Sequence, residues 1–429
     1  MGLRVRRGAV GSAAILSAVA ISIGAAAGGA TAVASTASFS AGPDTSTMAA
    51  DGAARPTLPG ATRFATFNAS LNRPADGELL ADLSAPGDQQ AAQIAEVIQR
   101  NRPDVVLLNE FDHVEGGAAV EAFQRNYLAV GQQGARGIDY PYAYTAPVNT
   151  GVPSGFDLNR DGEIGGPDDA LGFGAFPGQY GMVVLSRHPI DLDAVRTFQN
   201  FRWRDMPGAL LPDDVETPEP SDWYSPEALD VLPLSSKSHW DVPIRIGSQT
   251  VHFLVSHPTP PAFDGPEGRN RLRNHDEIRF WADYVTPGLG EYAYDDQGGR
   301  GGLPAGARFV VAGDQNADPM DGDGEPGAIA QLLDAPTLVD PWPGSLGAIR
   351  AAWEQGGANR EHRGLSWFDT ADFNDESPGN LRVDYVLPSR RLVPVGSGVF
   401  WPLPESPLSR LNSASDHHLV WVDVLASRG

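Results

Sequence analysis

Short strand-like runs, each bounded by an amide, an acid or a histidine, constrain this chain more than any other feature. Phe64–Phe67 leads into Asn68, Val105–Leu108 into Asn109 and Glu110, Val251–Ser256 into His257, and Phe309–Gly313 into Asp314 and Asn316. Leu419–Val424 is preceded by Asp416 and His417. Short apolar runs bounded by turn residues read as buried strands. A sheet built from them presents its polar groups along one rim, where the strands end.

Helical signals alternate with these strands. Ala92, Ile94, Ala95, Val97 and Ile98 form a stripe along 89–100, which Pro103 terminates. Arg271–Tyr284 reads as an amphipathic helix, and Gly247-Ser248 between two β-rich runs reads as a hairpin turn. Met182–Leu185 and Val383–Leu387 are further strands. Single cores stop growing near about 250–300 residues, so a chain of 429 residues fits one domain with insertions or two domains.

The first 34 residues read as an export signal. Arg4, Arg6 and Arg7 precede an Ala-rich apolar stretch that ends in Ala32-Val33-Ala34. The expected location is secreted, and the uncleaved anchor is the weaker alternative. Residues 35–60, poor in large apolar side chains, read as a flexible linker, with one domain over 61–429. Three insertions interrupt it, at about 149–178, 205–238 and 286–307. Trp223 and Tyr224 in the second are either a substrate platform or an aromatic cluster under a loop, and the cluster is preferred. The formal charge of -23, from 54 acids and 31 bases, argues against a non-specific polyanion-binding surface.

Carboxylates, amides and histidines without cysteine suit a hard cation and a phosphoester. Asp314 and Asn316 share one face of an extended segment, and Gly313 permits a sharp turn or a close approach. Asp384 lies in an otherwise apolar strand, where a carboxylate needs a partner. Pairing with His417 would orient that ring, and His257 suits proton transfer near neutrality. Each group alone has a plain reading as a loop or turn residue. Their weight lies in occurring together.

The series FNAS, LLNEF, GQYGMVVLSR, VSHPTPP, AGDQNAD, RVDYVLPS and SDHH resembles that of the endonuclease/exonuclease/phosphatase superfamily over roughly 61–425. The resemblance implies a four-layer α/β/β/α sandwich of two mixed sheets flanked by helices. It implies Glu110 as the main ligand for Mg²⁺ or Mn²⁺, with Asn68 and Asp416 completing or supporting the metal site. Asp314 and Asn316 would position water and phosphate. His257 would be an acid or phosphate contact, and His417 a general base or charge stabiliser oriented by Asp384.

Two further expectations come from the residues. Lys237, His239 and Arg187 are the nearest basic candidates for a phosphate contact, each with an equally plain surface role. Asp157, Asn159, Asp161, Glu163 and Asp168 follow the spacing of a calcium loop, although Asp168 stands where a bidentate Glu is usual; a solvated acidic turn is the alternative to structural Ca²⁺. The expected function is therefore a secreted, divalent-metal-dependent phosphoesterase acting on a small molecule, lipid head group or nucleic acid. An extracellular nuclease and a calcium-stabilised non-catalytic binding protein are the alternatives. No obligate protein partner and no membrane span after signal removal are implied.

Overall fold

The computed structural model describes residues 57–426, so the expected export signal lies outside the described residues. The strands are β1 (Thr62–Leu71), β2 (Val105–Phe111), β3 (Tyr142–Tyr144), β4 (Met182–Ser186), β5 (Arg196–Thr197), β6 (His239–Ile246), β7 (Gln249–Ser256), β8 (Phe309–Asp314), β9 (Ala371–Asp372), β10 (Asn380–Leu381), β11 (Asp384–Pro388), β12 (Leu392–Val399) and β13 (Val420–Ala426). The α-helices are α1 (Glu78–Leu83), α2 (Gln89–Asn101), α3 (Ala118–Phe123), α4 (Pro226–Val231), α5 (Arg269–Tyr284), α6 (Ala330–Leu333) and α7 (Leu346–Gln355).

Two mixed sheets result. One has the order β12-β13-β1-β2-β4-β3, the other β11-β8-β7-β6-β5, and β9 pairs with β10 apart from both. β1 with β2 and β7 with β8 are the parallel pairs; the remaining neighbours run antiparallel.

Period-two alternation sorts the side chains into layers. Phe64, Val105, Leu107, Val242, Phe253, Val310, Val386 and Val422 point between the sheets and fill one shared core. Their sequence neighbours Ala65, Val106 and Leu108 face Ile94, Ile98 and Phe123 of the helices over the first sheet. Leu254, Val311 and Leu387 face Ile278 and Trp281 over the second. The layers are therefore helix, sheet, sheet, helix. Each such fully buried large apolar side chain contributes about 1.5–3 kcal/mol, and no cysteine is present to add a cross-link.

Local chemistry sets the helix ends. Asp88 caps α2 by accepting from the Ala91 N–H, and Arg102 ends it in a left-handed conformation just before Pro103. Asp264 accepts from the N–H groups of Asn270 and Arg271 at 2.7 and 2.8 Å, which supplies the start of α5 with the acceptors its own Gly268 cannot offer. α5 is amphipathic in a way its sequence conceals. Arg273, Asn274, Asp276 and Glu277 are buried along with its apolar residues, so much of its polar face is turned inward rather than to solvent. The insertion at 205–238 contains α4.

Candidate active site

The inter-sheet core ends at one rim in three polar residues. Asn68 continues the inward-facing series of β1, Asp314 that of β8 and Asp384 that of β11. Asp384 and Asp314 are direct cross-strand partners. Parallel strands bring their C-terminal ends to this rim, and the antiparallel strands β11 and β13 bring their starts. Asn68, Glu110, His257, Asp314, Asp384 and His417, distant in sequence, thereby reach one place.

Strict alternation would send Glu110 to the helix-covered side, because Leu108 two residues earlier faces that way. The backbone breaks the pattern. Glu110 adopts φ 57°, a left-handed conformation that a non-glycine residue holds only under constraint from its surroundings. Its carboxylate consequently meets the Asn68 amide, whose Nδ2 donates to Glu110 Oε1 at 3.0 Å and to Asp314 Oδ2 at 3.1 Å. Asn68 Oδ1 is occupied by the Ser70 N–H at 3.2 Å. Asn68 thus bridges the two carboxylates at the expected metal site.

Gly313 is required on both grounds its motif suggested. Its φ is 148°, and a Cβ there would lie 2.0 Å from the Ser256 carbonyl oxygen. That close approach lets β8 turn at the point where Asp314 leaves the core. Asn316 follows at φ 50°, with its N–H on Asp314 Oδ1 at 2.9 Å and its Nδ2 on the Pro258 carbonyl at 3.1 Å.

Asp384 Oδ2 accepts from Thr370 Oγ1 at 2.9 Å and stands 2.9 Å from His417 Nδ1. The other ring nitrogen, Nε2, lies 3.6 Å from Asp314 Oδ2, and His257 Nε2 lies 3.4 Å from the same oxygen. Ligand atoms of Asp314, Asp384 and His417 all fall within 4.8 Å of one another. Burial opposes charge on the His417 ring, but Asp384 and Asp314 on its two sides outweigh it and hold its pKa well above that of an ordinary histidine. Burial alone would raise the Asp314 pKa; the adjacent His417 and His257 bring it below the usual carboxylate range instead. His257 goes the other way. Burial, with Lys237 adding to it, lowers its pKa and favours the neutral ring.

The metal fit rests on Glu110. Its carboxylate faces a cavity, and among the described residues no Lys, Arg or His nitrogen lies within 4.0 Å of it. An all-oxygen, acidic donor set with no thiol suits a hard divalent cation. Asp416 is exposed at the rim, tied by Ser70 Oγ at 3.1 Å to the strand that carries Asn68.

Lys237 lines the cavity with Glu110 and His257. Its ammonium forms no hydrogen bond or ion pair among the described residues, and burial pulls its pKa down against the opposing pull of Glu277, Glu110 and Asp314.

The other two basic candidates are corrected. His239 points into the core, bonded to Ser235 Oγ and to the Glu277 carbonyl, because it already belongs to β6 and its ring packs on Phe280 and Trp281. Burial lowers its pKa to about 4. Arg187 follows β4 at the opposite end from the site, since Ser186 pairs with Val105 and Met182 with Asn109. There it bonds Asp104 at 3.1 Å.

In the expected calcium loop the acidic side chains face backbone donors. Asp157 accepts from the N–H groups of Asp161 and Gly162, and Asp161 from that of Glu163, while Asn159 bonds Asp161. These are turn contacts within the loop. Asp168 swings to Arg269 at 3.6 Å, and Asp169 closes the loop instead by accepting from Leu158 and Gly165. Among the described residues, three or more acidic or histidine ligand atoms converge only at Asp314, Asp384 and His417. Trp223 braces this loop, donating Nε1–H to the Leu158 carbonyl with Arg160 over its ring, whereas Tyr224 lines the cavity.

Two residues of the site were invisible to sequence reasoning. Glu277 on α5 accepts from the Ser236 N–H at 2.7 Å and the Thr259 N–H at 2.6 Å. Asn274, one turn earlier, donates to the carbonyls of Thr259 and Gln315 at 2.8 and 2.9 Å. Together they fasten the Lys237, His257 and Asp314 loops to one helix. No local motif marks such residues; only their burial does.

Residues 65–417 match the model of the Endonuclease/Exonuclease/phosphatase family. The chain belongs to that family. Its members are hydrolases of phosphoester bonds, and the two mixed sheets flanked by helices are that family's α/β architecture. No curated protein matches the sequence. Among solved structures, the chain is similar to an endonuclease/exonuclease/phosphatase from Beutenbergia cavernae DSM 12333, with 20% identity and a TM-score of 0.47, covering 85% of this chain and 72% of that one. It is also similar to sphingomyelinase C from Streptomyces griseocarneus, with 15% identity and a TM-score of 0.41, covering 85% and 99%. A family protein from Leptotrichia buccalis C-1013-b shows 14% identity and a TM-score of 0.42, covering 85% and 99%. Among the described residues no helix is long and apolar enough to cross a membrane.

Proposed function

We propose that this protein is an exported phosphoesterase that hydrolyses its substrate by water attack with a divalent cation at Glu110. The observation that carries the reading is the continuous contact path Glu110–Asn68–Asp314–His417–Asp384. The residues that would hold a cation, accept a proton and carry positive charge lie along one path of hydrogen bonds and ion pairs. Such a set has no use in a passive binding protein.

Roles follow from charge. Asp314, kept ionised, takes the proton of the attacking water as the new O–P bond forms. The P–O bond to the alcohol breaks, and the departing oxygen takes a proton from water at the open side of the cavity. His417, held as imidazolium between two carboxylates, stabilises negative charge on the phosphoryl oxygens. This favours the charge-stabilising role over that of general base. Lys237 contacts the phosphate and His257 orients it, with Asn316 fixing the Asp314 loop. Mg²⁺ or Mn²⁺ held by Glu110, with Asp416 supporting from the rim, would supply Lewis-acid neutralisation of the phosphoryl group. The export signal at 1–34 supports secretion, and N-terminal sequencing of protein from the medium should begin at Ser35.

The test is hydrolysis of bis-(p-nitrophenyl) phosphate and p-nitrophenyl phosphate with Mg²⁺ or Mn²⁺, then with chelator. Turnover that needs metal and disappears in His417→Ala supports the reading. Absence of turnover on these esters, plasmid DNA and sphingomyelin alike would leave the non-catalytic alternative standing.

A further inference from the structure

Beside Glu110, Lys237 and His257 opens a cavity of about 480 Å³. Away from those three residues its wall is mainly apolar, through Leu158 and Phe173 of the first insertion, Tyr224 and Leu232 of the second, and Phe263 after β7, with Asp168 and Asn270 among its polar members. Phe263 is 96% exposed and sits at φ 59°. A bulky aromatic residue held in a left-handed conformation in solvent is an outlier with no packing reason. It stands among the residues lining this cavity.

The cations around the cavity decide what it can accept. Arg269 lies between Asp168 and Glu267, at 3.6 and 3.7 Å. Arg273 is spent on the carbonyls of Leu171, Pro233 and Leu234. Lys237 alone among these three is uncommitted, and it stands at the catalytic end. The cavity thus offers positive charge for one phosphate and apolar surface beyond it. A polynucleotide would need cations spaced along a groove.

We propose that this cavity is the alcohol-side subsite, and that the substrate is a monomeric phosphoester of a compact apolar alcohol, aromatic or short alkyl. Its phosphate sits at Lys237 and His257, and its apolar group lies between Leu158, Tyr224 and Leu232. The inference rests on the phosphoesterase reading above and adds the substrate class to it.

The test is calorimetric titration of the purified protein, with Mg²⁺, using phenylphosphonate, methylphosphonate and a short oligothymidylate. Phenylphosphonate should bind at least tenfold more tightly than methylphosphonate, and the oligonucleotide more weakly than phenylphosphonate. Leu232→Gln should bring the ratio of the two phosphonates toward one. Because Leu232 is buried, Phe263→Ser and Phe173→Ser, both at exposed positions, serve as variants that keep the fold and should narrow the same ratio. Equal affinity for the two phosphonates, a ratio insensitive to all three substitutions, or preferred binding of the oligonucleotide overturns the proposal. Hydrolysis of bis-(p-nitrophenyl) phosphate measured in parallel separates the failures. Turnover without phenyl preference removes only the subsite, and no turnover on any ester removes the reaction itself.

Discussion

Asp384 and His417 are 33 residues apart in sequence and 2.9 Å apart in space, with the ring's far nitrogen turned to Asp314. Both carboxylates are buried, so the imidazolium between them is stabilised on two sides in a medium that screens poorly. The pair places the His417 ring at the rim of the inter-sheet core.

Removing the charge of Asp384 should therefore hurt turnover more than binding. Asp384→Asn keeps the size and an oxygen for Thr370 and the ring, yet removes the negative charge that stabilises the imidazolium. We expect kcat on bis-(p-nitrophenyl) phosphate to fall by about a hundredfold to ten-thousandfold with KM changed by less than tenfold. Equal kcat in wild type and variant would remove His417 from the mechanism.

Glu110 is tested by metal titration. Glu110→Gln retains shape and the contact with Asn68 but loses the negative charge that attracts a cation. The concentration of Mg²⁺ giving half-maximal activity should rise by roughly tenfold or more, as losing about 1.4 kcal/mol of binding implies. A titration curve superimposable on wild type would place the cation elsewhere.

The rim residues were legible because strand ends are marked locally, by an apolar run followed by a polar group. The strands and the α2 stripe were legible for the same reason. Three things were not. Glu110's left-handed backbone has no sequence signature; its placement depends on the Asn68 contact. Lys237 and His239 looked equivalent, but β6 begins at His239 and draws that ring into the aromatic core. Asp168 and Asp169 are adjacent acids, and only the folded loop shows that Arg269 takes one and backbone N–H groups the other.

His239 predicts an acid-labile fold. Its folded pKa is lowered to about 4, below the unfolded value of about 6.5, so the unfolded chain binds a proton that the folded protein refuses. Stability is fully present above pH 6.5 and declines as pH falls toward 4. That difference corresponds to roughly 3 kcal/mol. Urea midpoints measured from pH 7 to 4.5 should fall steeply in wild type. They should fall less steeply in His239→Gln, even though that variant starts from a lower stability. Identical slopes would assign the acid sensitivity to other groups, His418 first among them, since its pKa is lowered to about 3 by burial.

The last prediction concerns Glu277, which touches neither metal nor phosphate yet reaches two of the loops that do. Its carboxylate accepts from Ser236, beside Lys237, and from Thr259, two residues after His257. A charged acceptor for two buried backbone N–H groups contributes about 1.5–3 kcal/mol per bond. Glu277→Gln turns one acceptor into a donor facing a donor, so one loop must give way. Lys237 and His257 would then no longer share a fixed spacing, and a phosphate bound by both would be held less well. We expect KM to rise by about tenfold or more, the melting temperature to drop by several degrees, and the metal concentration for half-maximal activity to stay put, because Glu110 and the Asn68 that holds it both lie on the first sheet, away from α5. A structural role alone would lower the melting temperature and the amount of active enzyme, leaving KM where it was. Glu277→Asp, which keeps the charge on a shorter arm, should recover part of the KM, and failure to do so would show that the two loops are positioned without this residue.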